Sequence, residues 1–133
     1  MKLDHELNKK ILAAIEELSE PYVSLGDVTE KAGIPFDEKA VHHFEILADQ
    51  DLVARSDGSK SMGVKVGGDG HISASKGISI RLTAEGHEYI LAINKSVIWE
   101  KAKSKFGDLG MAAMKEGAKV LIQGLVAQRL QNP

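Results

Sequence analysis

The sequence predicts an α+β fold that is mostly α. Three observations lead to it. Ser24 to Leu52 (SLGDVTEKAGIPFDEKAVHHFEILADQDL) reads as two short amphipathic helices joined by a turn, the core of a helix-turn-helix unit. Arg55 to Gly77 (RSDGSKSMGVKVGGDGHISASKG) is dominated by glycine and serine and runs into the alternating Ile78, Ile80 and Leu82, which marks a half-buried strand. Helical periodicity then returns and holds to the end of the chain. Together these features describe a winged helix-turn-helix with a glycine-rich wing and additional C-terminal helices. Residues 1–94 form the expected winged-helix domain, with the wing at about 55–82, and residues 95–133 a helical extension expected to serve dimerisation.

Asp4 to Ser19 is an amphipathic helix, because Leu7, Ile11, Ala14, Ile15 and Leu18 recur at helical spacing. Pro21 bounds it. In the next helix Ser24 and Asp27 stand at capping-box spacing, Leu25, Val28 and Ala32 share a face, and Gly33 is placed for a left-handed stop. Pro35 biases Ile34 away from helical geometry. Asp37 can cap the following helix, with Phe36 and Val41 as a hydrophobic staple. Val41, Phe44 and Leu47 line its buried face, which leaves Glu38, Lys39, His42, His43, Glu45, Asp49 and Gln50 as the expected exposed set. Leu52 and Val53 begin an extended segment. Arg55 to Gly77, whose only apolar alternation is Val64 and Val66 around Lys65, reads as two or three short strands with a long, mobile excursion between them. Thr83 caps a helix over AEGHEYILAIN, in which Gly86 permits close approach to a neighbour. Val97 to Phe106 is a further helix, and Gly107 with Asp108 ends it and caps the last one, Leu109 to Leu130. Leu121, Ile122, Leu125, Val126 and Leu130 give that helix a broad apolar face. Gly110, Gly117 and Gly124 recur every seven residues, each costing about 1 kcal/mol relative to alanine inside a helix. A dimer seam through Gly110, Gly117, Leu121, Gly124 and Leu125 is one reading of that column; packing within the chain is the other.

The chain has 133 residues and no cysteine, so disulfides, thiolate metal sites and cysteine nucleophiles are excluded. The opening MKLDHELNKKIL has no secretory apolar core, and no stretch approaches the roughly 18 apolar residues of a membrane span. The expectation is a cytoplasmic protein without membrane attachment. The formal net charge of −2 hides an asymmetry: −7 over residues 1–54, +3 over 55–81, −2 over 82–94 and +4 over 95–133.

Catalytic and metal chemistry find little support. His42 and His43 are adjacent and diverge by about 100° on a helix, and His5, His71 and His87 show no ligand spacing. Gly68-Asp69-Gly70 opens like a dinucleotide fingerprint, but Ser73 stands where the third glycine belongs. No phosphate loop or nucleophile elbow is present. No enzyme activity, metal or cofactor is expected. Duplex DNA is the leading partner: Lys39, His42 and Gln50 are placed to read base edges, and Lys60, Lys65, Lys76 and Arg81 supply phosphate contacts from the wing region. Glu38, Glu45 and Asp49 oppose such a role, so a winged helix acting as a protein-interaction module stays open beside a DNA-binding transcriptional regulator.

The opening MKLDHELNKKILAAIEE, His43 with Phe44 and Leu47, Leu82-Thr83 with Gly86-His87-Glu88, and Ile98-Trp99 form a combination that resembles the small bacterial and phage proteins of domain of unknown function 2513. The resemblance covers most of the chain except the wing. It implies a winged helix with a helical tail and a bacterial or phage setting; it implies no mechanism.

Overall fold

The computed structural model describes residues 1–131 and, for Ile72, the backbone alone. The fold is α+β and mostly helical. The chain divides into two units, Met1–His87 and Glu88 onward. The division falls inside a helix.

The first unit begins with α1, His5–Glu17. Asp4 is its N-cap and accepts the Leu7 N–H at 3.0 Å. Strand β1 is Val23–Ser24 and α2 is Leu25–Ala32. Ser24 caps α2 through the Asp27 N–H at 3.1 Å, and Gly33 stops it in the left-handed region at φ 69°, the conformation glycine adopts without penalty. Helix α3 is Glu38–Asp49. Asp37 caps it by accepting the Ala40 N–H at 2.9 Å. Each of these caps satisfies a backbone donor that a helix start leaves without a partner.

Strand β2 (Val53–Arg55), strands β3 (Lys65–Val66) and β4 (Ile72–Ser73), and strand β5 (Ser79–Leu82) follow. Antiparallel pairing orders one sheet β1-β5-β2, with Val23 opposite Ile80 and Val53 opposite Leu82. Strands β3 and β4 form a separate hairpin. The alternation read in Ile80 and Leu82 is borne out: both are buried while Arg81 is exposed. The core of this unit contains Ile11, Leu12, Ile15, Val23, Leu25, Val28, Val41, Phe44, Leu47, Leu52, Val53 and Ile80. At about 1.5–3 kcal/mol for each fully buried large apolar side chain, this set supplies the main drive for folding the unit.

Helix α4, Ala84–Ile93, crosses the boundary. Thr83 Oγ1 accepts the Gly86 N–H at 2.9 Å and donates to the Asp51 carbonyl. A Cβ on Gly86 would fall 2.0 Å from the Leu52 carbonyl oxygen, so the glycine permits the close approach foreseen for it.

In the second unit, α5 is Ser96–Phe106, a 3-10 turn covers Gly107–Leu109, and α6 is Met111–Gln131. α6 starts after Gly110, whose φ of 99° makes it a turn residue, so the expected start at Leu109 is two residues early. Ile98, Trp99, Ala102, Met111, Met114 and Ala118 are buried. Gly117 faces Phe106: a Cβ there would lie 2.2 Å from the ring. This identifies the intramolecular partner of Gly117. A Cβ on Gly124 meets open space. The seven-residue glycine column is therefore one turn, one ring contact and one exposed position rather than a continuous seam.

Candidate nucleic-acid interface

The segment expected to form a wing, residues 55–82, is built from its base outward. Arg55 closes the loop after β2: one guanidinium nitrogen donates to the Ser61 carbonyl at 2.9 Å and the other meets Asp57 at 2.8 Å. Asp57 also accepts the Ser59 N–H at 2.9 Å. That backbone bond first, and the Arg55 bond after it, hold the Asp57 carboxyl below its ordinary range. Met62 is buried, and Gly63, at φ 70°, lies where a Cβ would reach Ile78 Cδ1 at 2.2 Å. The foot of the wing is thus fastened by an ion pair and by a buried side chain. Beyond it, Lys65 pairs with Ser73 and Val66 with Ile72. The hairpin turns through Gly67 to His71, with the Gly67 N–H donating to the His71 carbonyl at 2.7 Å and Asp69 accepting the His71 N–H at 3.0 Å. The run Gly68-Asp69-Gly70 is thereby a hairpin tip.

Lys60 and Lys65 are exposed on the lead-in loop and on β3. Lys76 is exposed on the return leg. Its carbonyl accepts the Gly26 N–H at 3.0 Å, which ties this leg to the start of α2. Its ammonium stands 5.7 Å from the Phe36 ring centroid, within cation–π range. The wing lysines therefore sit on three successive segments, and the last of them adjoins the turn that precedes α3.

The base-reading set fares differently. Lys39 is turned toward the start of α1, where its ammonium meets Asp4 at 2.9 Å. That bond and the Leu7 N–H hold the Asp4 carboxyl below its ordinary range. His42 is exposed and stands 3.8 Å from Glu45. Gln50 is the C-cap of α3 and is half-buried. His43, expected to be exposed, is fully buried. Its Nε2 accepts the Asp4 N–H at 3.0 Å, which puts the ring proton on Nδ1, and Nδ1 donates to the Lys39 carbonyl at 2.8 Å. His43 thus joins α1 to α3 and cannot reach a ligand. The outward stripe of α3 is Glu38, His42, Glu45 and Asp49, at the i, i+4, i+7 and i+11 positions of one face.

Arg81 does not join the wing lysines. It donates to the Leu82 carbonyl at 3.1 Å and lines a hollow with Glu16 and Glu20 at the far end of α1. Lys39 sits beside the first residues of α1 and Arg81 beside its last. With 13 residues between those ends, the two cations are separated by roughly 20 Å at 1.5 Å per residue. Lys60, Lys65 and Lys76 are therefore exposed along the segment between β2 and β5, while Lys39 is paired with Asp4 and Arg81 lines the hollow beside α1. Sequence reading passed over two groups that matter here. Arg55 was signalled by Asp57 two residues on; Asp4 gave no sign that it reaches α3.

On the second unit, Leu121 and Leu125 are half-buried on α6, while Val120, Val126 and Leu130 are 62%, 51% and 79% exposed. Among the described residues no helix is long and apolar enough to cross a membrane.

Neither the curated proteins nor the solved structures contain a match to this chain. The family model described as Hypothetical protein (DUF2513) matches residues 2–112, from the residues that precede α1 to the first turn of α6, and the chain belongs to that family.

Proposed function

We propose that the chain is a winged-helix protein of bacterial or phage origin that binds duplex DNA through its wing and acts in transcription regulation. The element order α1-β1-α2-α3-β2, hairpin, β5, with a sheet ordered β1-β5-β2, supports the winged-helix reading. The observation that carries the rest is the division of charge. Lys60, Lys65 and Lys76 stand exposed on the lead-in loop, the hairpin and the return leg of a segment anchored at its base, whereas the outward face of α3 is acidic and its one lysine is held by Asp4. Phosphates attract the first surface and are repelled by the second. Phosphate contacts fix register without reading sequence, so the reading implies binding of broad sequence tolerance. The test compares two unrelated duplexes. Lys39→Ala leaves affinity for both unchanged, while replacing the three wing lysines with alanine weakens both equally. A Lys39→Ala variant with altered sequence preference would place α3 in the groove instead.

A second reading has its own observation. The stripe Glu38, His42, Glu45 and Asp49 suits a basic protein surface better than DNA. Glu38→Lys with Asp49→Lys separates the two: on this reading it abolishes partner binding, and on the first it strengthens DNA binding.

Self-association, as a homodimer, is proposed through the outer half of α6. Gly117 is occupied by Phe106, so the surface left for a second copy is Leu121, Leu125 and the exposed Val120, Val126 and Leu130. Sedimentation of the unmodified chain against Leu121→Glu with Leu125→Glu decides it: a dimer that the double variant dissociates is expected, and an unmodified chain that sediments as a monomer at micromolar concentration rejects it.

A further inference from the structure

The loop that follows β2 is wound around one side chain. Arg55 ends that strand with its side chain 22% exposed. Its Nη1 donates to the Ser61 carbonyl at 2.9 Å and its Nη2 to the Asp57 carboxylate at 2.8 Å. The other bonds of the loop are short-range. The Gly58 N–H donates to the Arg55 carbonyl at 3.1 Å and the Ser59 N–H to the Asp57 carboxylate at 2.9 Å. The Ser61 N–H donates to the Ser59 hydroxyl at 3.3 Å and the Gly63 N–H to the Ser61 hydroxyl at 3.1 Å. Each of these spans two or three residues, whereas the bond from Arg55 to Ser61 spans six. Among the described residues it is the bond that joins the start of this loop to its end. Lys60 lies between the two groups that the guanidinium holds, and it is exposed. Met62, two residues on, is buried.

We propose that Arg55 and Asp57 are positioning residues for phosphate binding: the pair orders the loop that presents Lys60 and makes no phosphate contact itself. The role rests on the DNA-binding reading above and adds to it two residues that carry no contact of their own. The charge of Arg55 is offset by Asp57, and two of its donors are already committed, so it is a poor phosphate ligand where it stands. Its effect is on order. Glycine and serine fill the loop around Lys60, and such a chain has much conformational freedom to lose when its lysine meets a phosphate. A loop closed in advance has already lost it, and the contact is tighter for that reason. A guanidinium suits this task because its fixed fork bridges a carboxylate and a carbonyl together, which a lysine ammonium, as a point charge on a flexible stem, does less well. Long-range electrostatics gives the opposite expectation for Asp57, since an acidic residue beside a phosphate-binding lysine should only weaken the attraction. The two accounts therefore differ in sign.

The experiment measures the affinity of the full chain for a DNA duplex by fluorescence anisotropy. At about 0.1 M salt, Lys60→Ala should weaken binding roughly eightfold, the counter-ion term of one phosphate contact. Arg55→Lys keeps the net charge, and Asp57→Asn raises it by one while its side-chain oxygen still accepts the Ser59 N–H. Both should nevertheless weaken binding by most of the Lys60→Ala factor. Added to Lys60→Ala, neither should weaken it further, because Lys60 is the group through which they act. Trypsin reads the loop without DNA: cleavage after Lys60 should be several-fold faster in both variants, with thermal melting unchanged. Three results would each overturn the proposal: an Asp57→Asn chain that binds as tightly as the unmodified one or more tightly, a loss that adds in full to that of Lys60→Ala, or unchanged cleavage after Lys60 in Arg55→Lys. An unmodified chain that binds no duplex even at low salt removes the DNA-binding reading and this role with it, whereas binding that the variants leave unaltered removes this role alone.

Discussion

Gly86 and His43 show how a single residue can hold two elements together. At Gly86 the Leu52 carbonyl occupies the space of a side chain, 2.0 Å from where a Cβ would stand. Gly86→Ala should therefore destabilise the fold by about 1–3 kcal/mol through overpacking, although alanine is the better helix former; a urea melt reads the sign. His43 fills both ring nitrogens with backbone groups, the Asp4 N–H and the Lys39 carbonyl. His43→Leu leaves both unmet, and the expected cost is about 2–6 kcal/mol at roughly 1–3 kcal/mol per buried orphan. The Gly86 approach was legible in the sequence because its position follows a cap and precedes an apolar run. The burial of His43 was not. Helical spacing places it near the edge of the apolar face, and only the backbone of Asp4, 39 residues away, decides that it turns inward.

Asp4 adds a pH dependence at the same scale. Its carboxyl is held below the usual range first by the Lys39 ammonium and next by the Leu7 N–H. A folded-state value lower than the unfolded one means that the charged carboxylate favours folding. That contribution is complete above the unfolded value near 3.9 and is lost as pH falls through the depressed folded value. Asp4→Asn keeps a capping side chain but cannot titrate. Its deficit in stability against the unmodified chain should be present at pH 7 and shrink toward zero below pH 4. A deficit of constant size across that range would show that the ion pair contributes nothing.

At the scale of elements, local rules placed the helix starts and stops. Ser24, Gly33, Asp37 and Thr83 all act as their positions implied, because caps are decided within four residues of chain. The glycines of α6 show where such reading ends. A seven-residue spacing states that three glycines share a face; it does not state what meets that face. Phe106, eleven residues before Gly117, supplies the answer. Gly117→Leu should cost about 1–3 kcal/mol or more by pressing on the ring. Gly124→Ala, in open space, should raise stability by up to about 1 kcal/mol. Equal effects at the two positions in thermal melts would contradict the assignment of Phe106 as the partner of Gly117 alone.

For the whole molecule, the charge asymmetry was the most informative sequence observation, and the structure sharpens it. The +3 of residues 55–81 is not one surface. Arg55 is taken up by Asp57 and Ser61 and Arg81 lies in the hollow beside α1, which leaves Lys60, Lys65 and Lys76. Those pairings depend on how the wing folds back on its foot, and no periodicity records that. The central claim is that these three lysines hold DNA by its phosphates. The measurement that tests it most directly is the salt dependence of duplex binding for the unmodified chain and for the Lys60→Ala, Lys65→Ala, Lys76→Ala variant. Each phosphate contact contributes about 0.9 to the slope of log affinity against log salt. The expected slope is flatter by about 2 to 3 in the variant, with affinity lowered alike for unrelated sequences. An unchanged slope, or no binding by the unmodified chain even at low salt, would contradict it.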